Sequence, residues 1–196
     1  MEDLLRFGPL VFLAATCLWL MVATRRTSSE IGRKAYGFGG STRQQVAQGL
    51  FRVSVVAALL STAGHAAGLD WAVLVPLFAD PAWMRYAGLA LALGGSLLTM
   101  FAQSNMGRRW RVGVPDAAPD ALVTAGLFGF SRNPVFLAML TLAVGLAAAL
   151  SSPVMIACAA VFWLACQIQV RDEERYLGDA FGAQYAAYRT QVRRWV

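Results

Sequence analysis

Charge is what this sequence has least of. Only 14% of its 196 residues are Asp, Glu, Lys or Arg, 58% are apolar, and the mean hydropathy is +0.53. Soluble domains carry roughly 25% charged residues, so the composition excludes an ordinary water-soluble globule and points to the membrane. Histidine occurs once, at His65 within an apolar stretch, where packing or contact with water accounts for it. Cys17, Cys158 and Cys166 are odd in number and all lie in apolar stretches, so they give neither a disulfide framework nor a metal site. No internal repeat is present. No basic stripe interleaved with aromatics is present either, so the net charge of +6 does not indicate nucleic acid. The glycines of the Tyr36–Gly40 stretch lack the strand-to-helix setting of a phosphate loop. Glu2 and Asp3 stand where a signal peptide needs positive charge, so the first apolar stretch is expected to be a retained span.

What the chain does have is a run of 38 uncharged residues, Asn133 to Val170. Ser131-Arg132-Asn133-Pro134 stands at its entrance and Arg171-Asp172-Glu173-Glu174-Arg175 at its exit. Apolar stretches 134–150 and 153–170 meet at Ser151-Ser152-Pro153, a helical hairpin with a tight turn. Each arm is about 27 Å long, close to the ~30 Å hydrocarbon core. The hairpin returns the chain to the side it left, so Arg132 should face Glu173-Glu174 at one membrane surface. Further spans are expected over about Gly8–Thr24, Val46–Ala67 and Arg85–Gln103. The expected fold is therefore an all-α integral membrane protein of about five transmembrane helices. It divides into residues 1–103, with three spans, and 104–196, comprising an interfacial segment, the hairpin 133–170 and a cytoplasmic tail helix 171–196.

Basic residues set the orientation. Segments 25–46, 104–132 and 171–196 hold five, four and five of them, and only Arg6, Arg52 and Arg85 lie elsewhere. The positive-inside rule places those three segments in the cytoplasm and the N-terminus outside, in a multi-pass protein of the inner membrane. Gly88, Ala92 and Ser96, with Gly95 and Thr99 alongside, form a small-residue stripe on the third span, for packing within the chain or for a dimer face. Gly107–Arg111 reads as an interfacial anchor or as a gate to lipid or cofactor entry. Glu173, Leu177, Phe181, Tyr185 and Tyr188 recur at helical spacing in the tail, which Gly182 can bend. A helix lying on the membrane surface would show the same pattern.

These residues admit a definite chemistry. Arg132 offers a planar fork for carboxylate or phosphate. Glu173 and Glu174 offer acceptors for ribose hydroxyls or an amine. Adjacent helical carboxylates point about 100° apart, so one of them is expected to face the pocket. Tyr185 and Tyr188, with Phe136 or Trp195, offer aromatic faces that attract a sulfonium or quaternary ammonium group. S-adenosylmethionine meets all three descriptions, and so does a lipid headgroup.

The ordered set of Leu122–Phe128, Arg132-Asn133-Pro134-Val135-Phe136, Glu173-Glu174-x-x-Leu177, Phe181-Gly182-x-x-Tyr185-x-x-Tyr188 and Val192-x-Arg194-Trp195 resembles the isoprenylcysteine carboxyl methyltransferase family. That family shares its C-terminal module with phospholipid N-methyltransferases, and the resemblance covers about residues 104–196. It implies S-adenosylmethionine bound on the cytoplasmic side by Gly126, Leu127, Arg132, Asn133, Pro134, Glu173, Glu174, Tyr185, Tyr188 and Arg194. Arg132, Glu173 and Glu174 would be the catalytic residues, and no metal is implied. The acceptor would be a lipophilic or membrane-embedded carboxylate, thiol or amine that enters from the bilayer. The family's Arg-His-Pro-x-Tyr stands here as Arg-Asn-Pro-x-Phe, which is similar to a bacterial branch of the family. Asn133 cannot titrate and Phe136 has no hydroxyl, which puts a prenylcysteine substrate in question. Two other readings stand beside this one: a nicotinamide-dependent membrane reductase of sterol-reductase-like architecture, and a non-catalytic scaffold. Oligomeric state is not legible.

Overall fold

Serine and proline set the turn of the C-terminal hairpin. Ser151 adopts left-handed backbone (φ 49°), and its N–H returns to the Ala147 carbonyl at 2.8 Å to close one helix. Pro153 opens the next, at a position where a missing N–H costs nothing. The computed structural model describes residues 2–32, 34–37, 41–69, 74–77, 81–113 and 121–196. Arg33, Asp70, Asp80 and the end of the Tyr36–Gly40 stretch lie outside the described residues. The helices are α1 (Glu2–Ile31), α2 (Thr42–Ala67), α3 (Ala82–Met106), α4 (Pro134–Leu150) and α5 (Pro153–Gln191), with short 3-10 turns at Gly107–Arg109 and Gly126–Gly129.

Four helices are long and apolar enough to cross a membrane; α4, with 17 residues, is the shorter fifth. Their outward faces are apolar, with Leu18, Val53, Leu60, Leu97, Phe101 and Trp163 all exposed, as a lipid-facing surface requires. The chain is an all-α, multi-pass membrane protein. Its main seam joins α3 to α4, and glycine makes it possible. A methyl group built at Gly88 would stand 2.5 Å from the Ala149 backbone nitrogen. Gly95 meets the Leu142 backbone equally closely, and Gly145 meets that of Ala92. The small-residue stripe is thus used within the chain, bringing two backbones together where lipid provides no hydrophobic drive. α1 lies across α3, tied by Thr16 Oγ1 to Ser96 Oγ at 2.7 Å and by Trp19 Nε1 donating to Gln103 Oε1 at 2.8 Å.

The two ends of the bundle differ. At one, Arg6 Nε donates to the Ala66 carbonyl (2.8 Å) and the Leu77 N–H to the Ser151 carbonyl (3.0 Å). At the other, Trp110 Nε1 donates to Thr24 Oγ1 (2.9 Å), and Arg43 pairs with Asp172 (3.3 Å). Val112 bridges Ala35 and Gly37 through two backbone hydrogen bonds of 2.8 and 3.0 Å. The described residues of the three basic segments gather at this second end.

The sequence suggested a hairpin arm followed by a separate tail helix. Instead α5 runs from Pro153 to Gln191 and leaves helical angles only at Gly182 (φ 48°, ψ −118°). Nothing between Val170 and Arg175 breaks a helix, since Arg and Glu are good helix formers. The apolar part of α5, to Val170, therefore carries its charged continuation out of the membrane in fixed register.

Candidate active site

The site is built by joining the start of α4 to the end of the chain. Arg132 donates its backbone N–H to the Arg193 carbonyl at 2.9 Å and its Nη1 to the Val192 carbonyl at 2.6 Å. Ser131 Oγ and Asn133 Nδ2 both donate to the Arg194 carbonyl, each at 3.2 Å. Tyr188 adds a further tie, its hydroxyl donating to the Phe128 carbonyl at 2.6 Å. Asn133 occupies the α4 N-cap position, yet its side chain makes no cap and holds the tail instead.

Glu174 locks this junction. Its Oε1 accepts from Arg132 Nη2 (2.7 Å) and Nε (3.3 Å), and from Arg194 Nε (3.0 Å). Its Oε2 accepts from Arg194 Nη2 at 2.6 Å. Burial by itself would push this carboxyl up. The hydrogen bonds from Arg194 and Arg132, with both positive charges, outweigh burial and hold it below the usual carboxylate range. Arg194 is raised in turn by the bond to Glu174.

Glu173 is in a different situation. Its partner is Arg111, with Nη2 3.8 Å from Oε1, too long for a good hydrogen bond. Burial pushes Glu173 above the usual carboxylate range, with Arg111 opposing and Glu174 adding to the rise. Burial also pushes the Tyr185 and Tyr188 phenols up to about 12 each, with Glu174 adding at Tyr185 and Tyr185 adding at Tyr188, so both remain neutral.

These groups border one cavity of about 410 Å³, within the range of small-molecule sites. It has two halves. Arg132, Glu173, Glu174, Tyr185 and Tyr188 line the polar one. Phe51, Val55, Phe136, Met139 and Phe162, contributed by α2, α4 and α5, line the apolar one. There Phe51 stacks on Phe136 (6.2 Å between centroids) and meets Phe162 edge-on (5.2 Å).

Of the residues singled out from the sequence, Arg132, Asn133, Pro134, Glu173, Glu174, Tyr185 and Tyr188 border this cavity. Both adjacent carboxylates reach it, where one was expected, because Glu174 turns to the arginine pair and Glu173 to Arg111. Gly126 and Leu127 are not in its wall. Gly126 supplies positive φ (62°) at the 3-10 turn, Leu127 packs beside Trp110 and Val135, and Phe128 lines the cavity instead. Arg194 acts through Glu174, and Trp195 is not in the wall. Sequence reasoning missed Arg111, Phe51 and Gln169 as lining residues. Arg111 looked like one of three interfacial cations around an indole, and no spacing linked it to Glu173. His65 lies at the opposite end, its Nε2 3.3 Å from the Leu5 carbonyl.

Known proteins match this architecture. The phospholipid methyltransferase family profile matches residues 83–184. Protein-S-isoprenylcysteine O-methyltransferase B of Arabidopsis thaliana is 30% identical over 113 residues, 56% of this chain; the chain spans 57% of that relative's length. The solved structure of the eukaryotic intramembrane Ras methyltransferase ICMT (isoprenylcysteine carboxyl methyltransferase) superposes with a TM-score of 0.60. That likeness covers 98% of this chain and 66% of the other at 20% identity, and it bears on the fold. With more than half of its length matched by the profile, from α3 through the hairpin into the tail, the chain belongs to the phospholipid methyltransferase family.

Proposed function

We propose that this protein transfers a methyl group from S-adenosylmethionine to a lipophilic acceptor drawn from the bilayer. The observation that carries the reading is the two-sided cavity: a charged, aromatic pocket continuous with an apolar channel walled by transmembrane helices. The donor set suits the cofactor. Among the described residues Glu173 has no partner closer than Arg111 at 3.8 Å, so it is fit for an amine or ribose hydroxyls; neutral Tyr185 and Tyr188 present rings to a sulfonium. When bound, S-adenosylmethionine supplies a methyl group on sulfonium: the acceptor's lone pair forms the new bond while the S–C bond breaks, its electron pair going to sulfur.

The chain's own residues then take distinct parts. Arg132, Glu174 and Arg194 saturate one another, so they hold the tail against the start of α4 beside the polar half. Phe51, Phe136 and Phe162 hold an apolar chain and lower the local polarity, which favours a step that neutralises charge. Glu173 is the candidate to hold the cofactor amine or take a proton from an amine acceptor. The names of the relatives suggest an isoprenylcysteine carboxyl group or a phospholipid as acceptor. The basic segments lie at the cavity end, which supports a cytoplasmic site, with the N-terminus outside and the protein in the inner membrane.

The test is transfer of labelled methyl from S-adenosylmethionine to a total lipid extract by the purified protein. Labelled lipid is expected; none, with the cofactor bound, would contradict the reading. One pH prediction accompanies it. A carboxyl raised by burial keeps its proton above the usual carboxylate range, and its neutral form stabilises the fold below the unfolded pKa, a contribution lost as pH rises through the folded one. If ionised Glu173 takes a proton, kcat/KM rises through that same interval, and Glu173→Gln flattens the limb while lowering turnover at least tenfold. A Glu173→Gln enzyme that keeps the limb would remove this role.

A further inference from the structure

Among the described residues, Gln169 is the one buried polar side chain in the cavity wall whose chemistry nothing so far has used. It is 1% exposed, it lines the cavity, and its Oε1 has no hydrogen-bond partner among the described residues. A carboxamide oxygen buried without a partner is a standing cost, and its persistence signals an unfilled contact. Its position says with what. Phe162, Gln169 and Glu173 all line the cavity from the single helix α5. By helical rise Gln169 stands about 10 Å from Phe162, at the aromatic end, and about 6 Å from Glu173, at the charged end. It therefore marks the seam between the two halves. At this level of α5 a donor held by the polar half and a lipid held by the apolar half meet.

We propose that Gln169 positions the methyl acceptor, its Oε1 accepting a hydrogen bond from an N–H or O–H on the acceptor's head. This rests on the methyltransferase reading above. A carboxamide oxygen only accepts, so it selects heads that bring a hydrogen and leaves a bare carboxylate without a partner at that atom. For a neutral amine the contact also orients the reaction. One N–H points to Gln169, which turns the nitrogen lone pair aside, free to attack. The lone pair forms the C–N bond, the S–C pair departs with sulfur, and the surplus ammonium proton passes to ionised Glu173 one helical turn away. A rotated amide would present Nε2 instead, and the variants below separate the two.

The test measures methyl transfer from S-adenosylmethionine to phosphatidylethanolamine and to oleic acid in mixed micelles. Alongside, it measures the melting shift caused by S-adenosylhomocysteine. The expected wild-type preference is for the amine lipid. Gln169→Leu should lose at least tenfold in kcat/KM on that lipid while the adenosyl melting shift is unchanged. Gln169→Glu, which keeps oxygens in both positions, should stay within threefold of wild type. The proposal is overturned by a wild-type preference for the carboxylate, by transfer to neither lipid, or by full activity in Gln169→Leu. It is overturned equally if Gln169→Leu loses the melting shift in proportion to activity, or if Gln169→Glu is as impaired as Gln169→Leu. Absence of both transfer and melting shift in the wild-type protein would instead remove the methyltransferase reading beneath it.

Discussion

Glu174→Gln is expected to lower methyl transfer at least a hundredfold and to destabilise the protein by about 3–5 kcal/mol, the usual cost of breaking a buried ion pair from one side. The carboxylate is 7% exposed and takes hydrogen bonds from Arg132 and Arg194 together. An amide in its place leaves two guanidinium groups facing each other with one acceptor oxygen between them. Arg132 keeps its bond to the Val192 carbonyl, so the tail stays attached but loses its fixed distance from α4. Arg194→Ala should be milder, because Arg132 still neutralises Glu174. Thermal unfolding in detergent, followed beside turnover, ranks the two. Equal losses would mean that the Arg194–Glu174 contact alone fixes the tail and that the bond from Arg132 adds nothing. The pH dependence has a fixed sign. A carboxylate held below its usual range stabilises the fold above its unfolded pKa, and that stability is lost as pH falls through the lowered folded value. Acid should therefore loosen the tail only below the usual carboxylate range.

The second large effect is expected far from the chemistry. Gly95→Leu places a side chain against the Leu142 backbone, which cannot swing aside as a flexible side chain would. Overpacking a well-filled interior costs about 1–3 kcal/mol, and more where backbone must move. The α3–α4 seam should open, and with it the start of α4 that carries Asn133 and Pro134. Gly94→Leu, one residue earlier, has nothing within 4 Å and should be harmless or slightly stabilising. Size-exclusion profile and melting temperature of the two variants decide the matter. Equal behaviour would show that the seam is not what holds α4 in place.

Much of this could be read from the chain, and the exceptions have physical reasons. The hairpin was legible because Ser151-Ser152-Pro153 interrupts an uncharged run of membrane-spanning length. The meeting of Arg132 with the glutamate pair followed from that length alone. Which glutamate meets which arginine was not legible. Residues 173 and 174 differ only by helix rotation, and Arg194 reaches Glu174 through a tail whose path depends on Gly182. Gln169 gave no signal because an uncharged polar residue near a span end is unremarkable until its neighbours are known. Phe51 gave none because α2 reaches the cavity through tertiary packing, with no spacing in the sequence to mark it. The resemblance to the methyltransferase family implies Gly126 and Leu127 as cofactor contacts. The 3-10 turn they form aims Phe128 at the cavity and turns them away from it.

The central claim is that the polar half of the cavity holds S-adenosylmethionine, and melting of the purified protein tests it most directly. With S-adenosylmethionine or S-adenosylhomocysteine at a hundredfold excess over the dissociation constant, binding adds about 2.7 kcal/mol of stability. The account predicts a rise in melting temperature with both adenosyl compounds and none with NADPH. A rise with NADPH alone, or with none of the three, would contradict it.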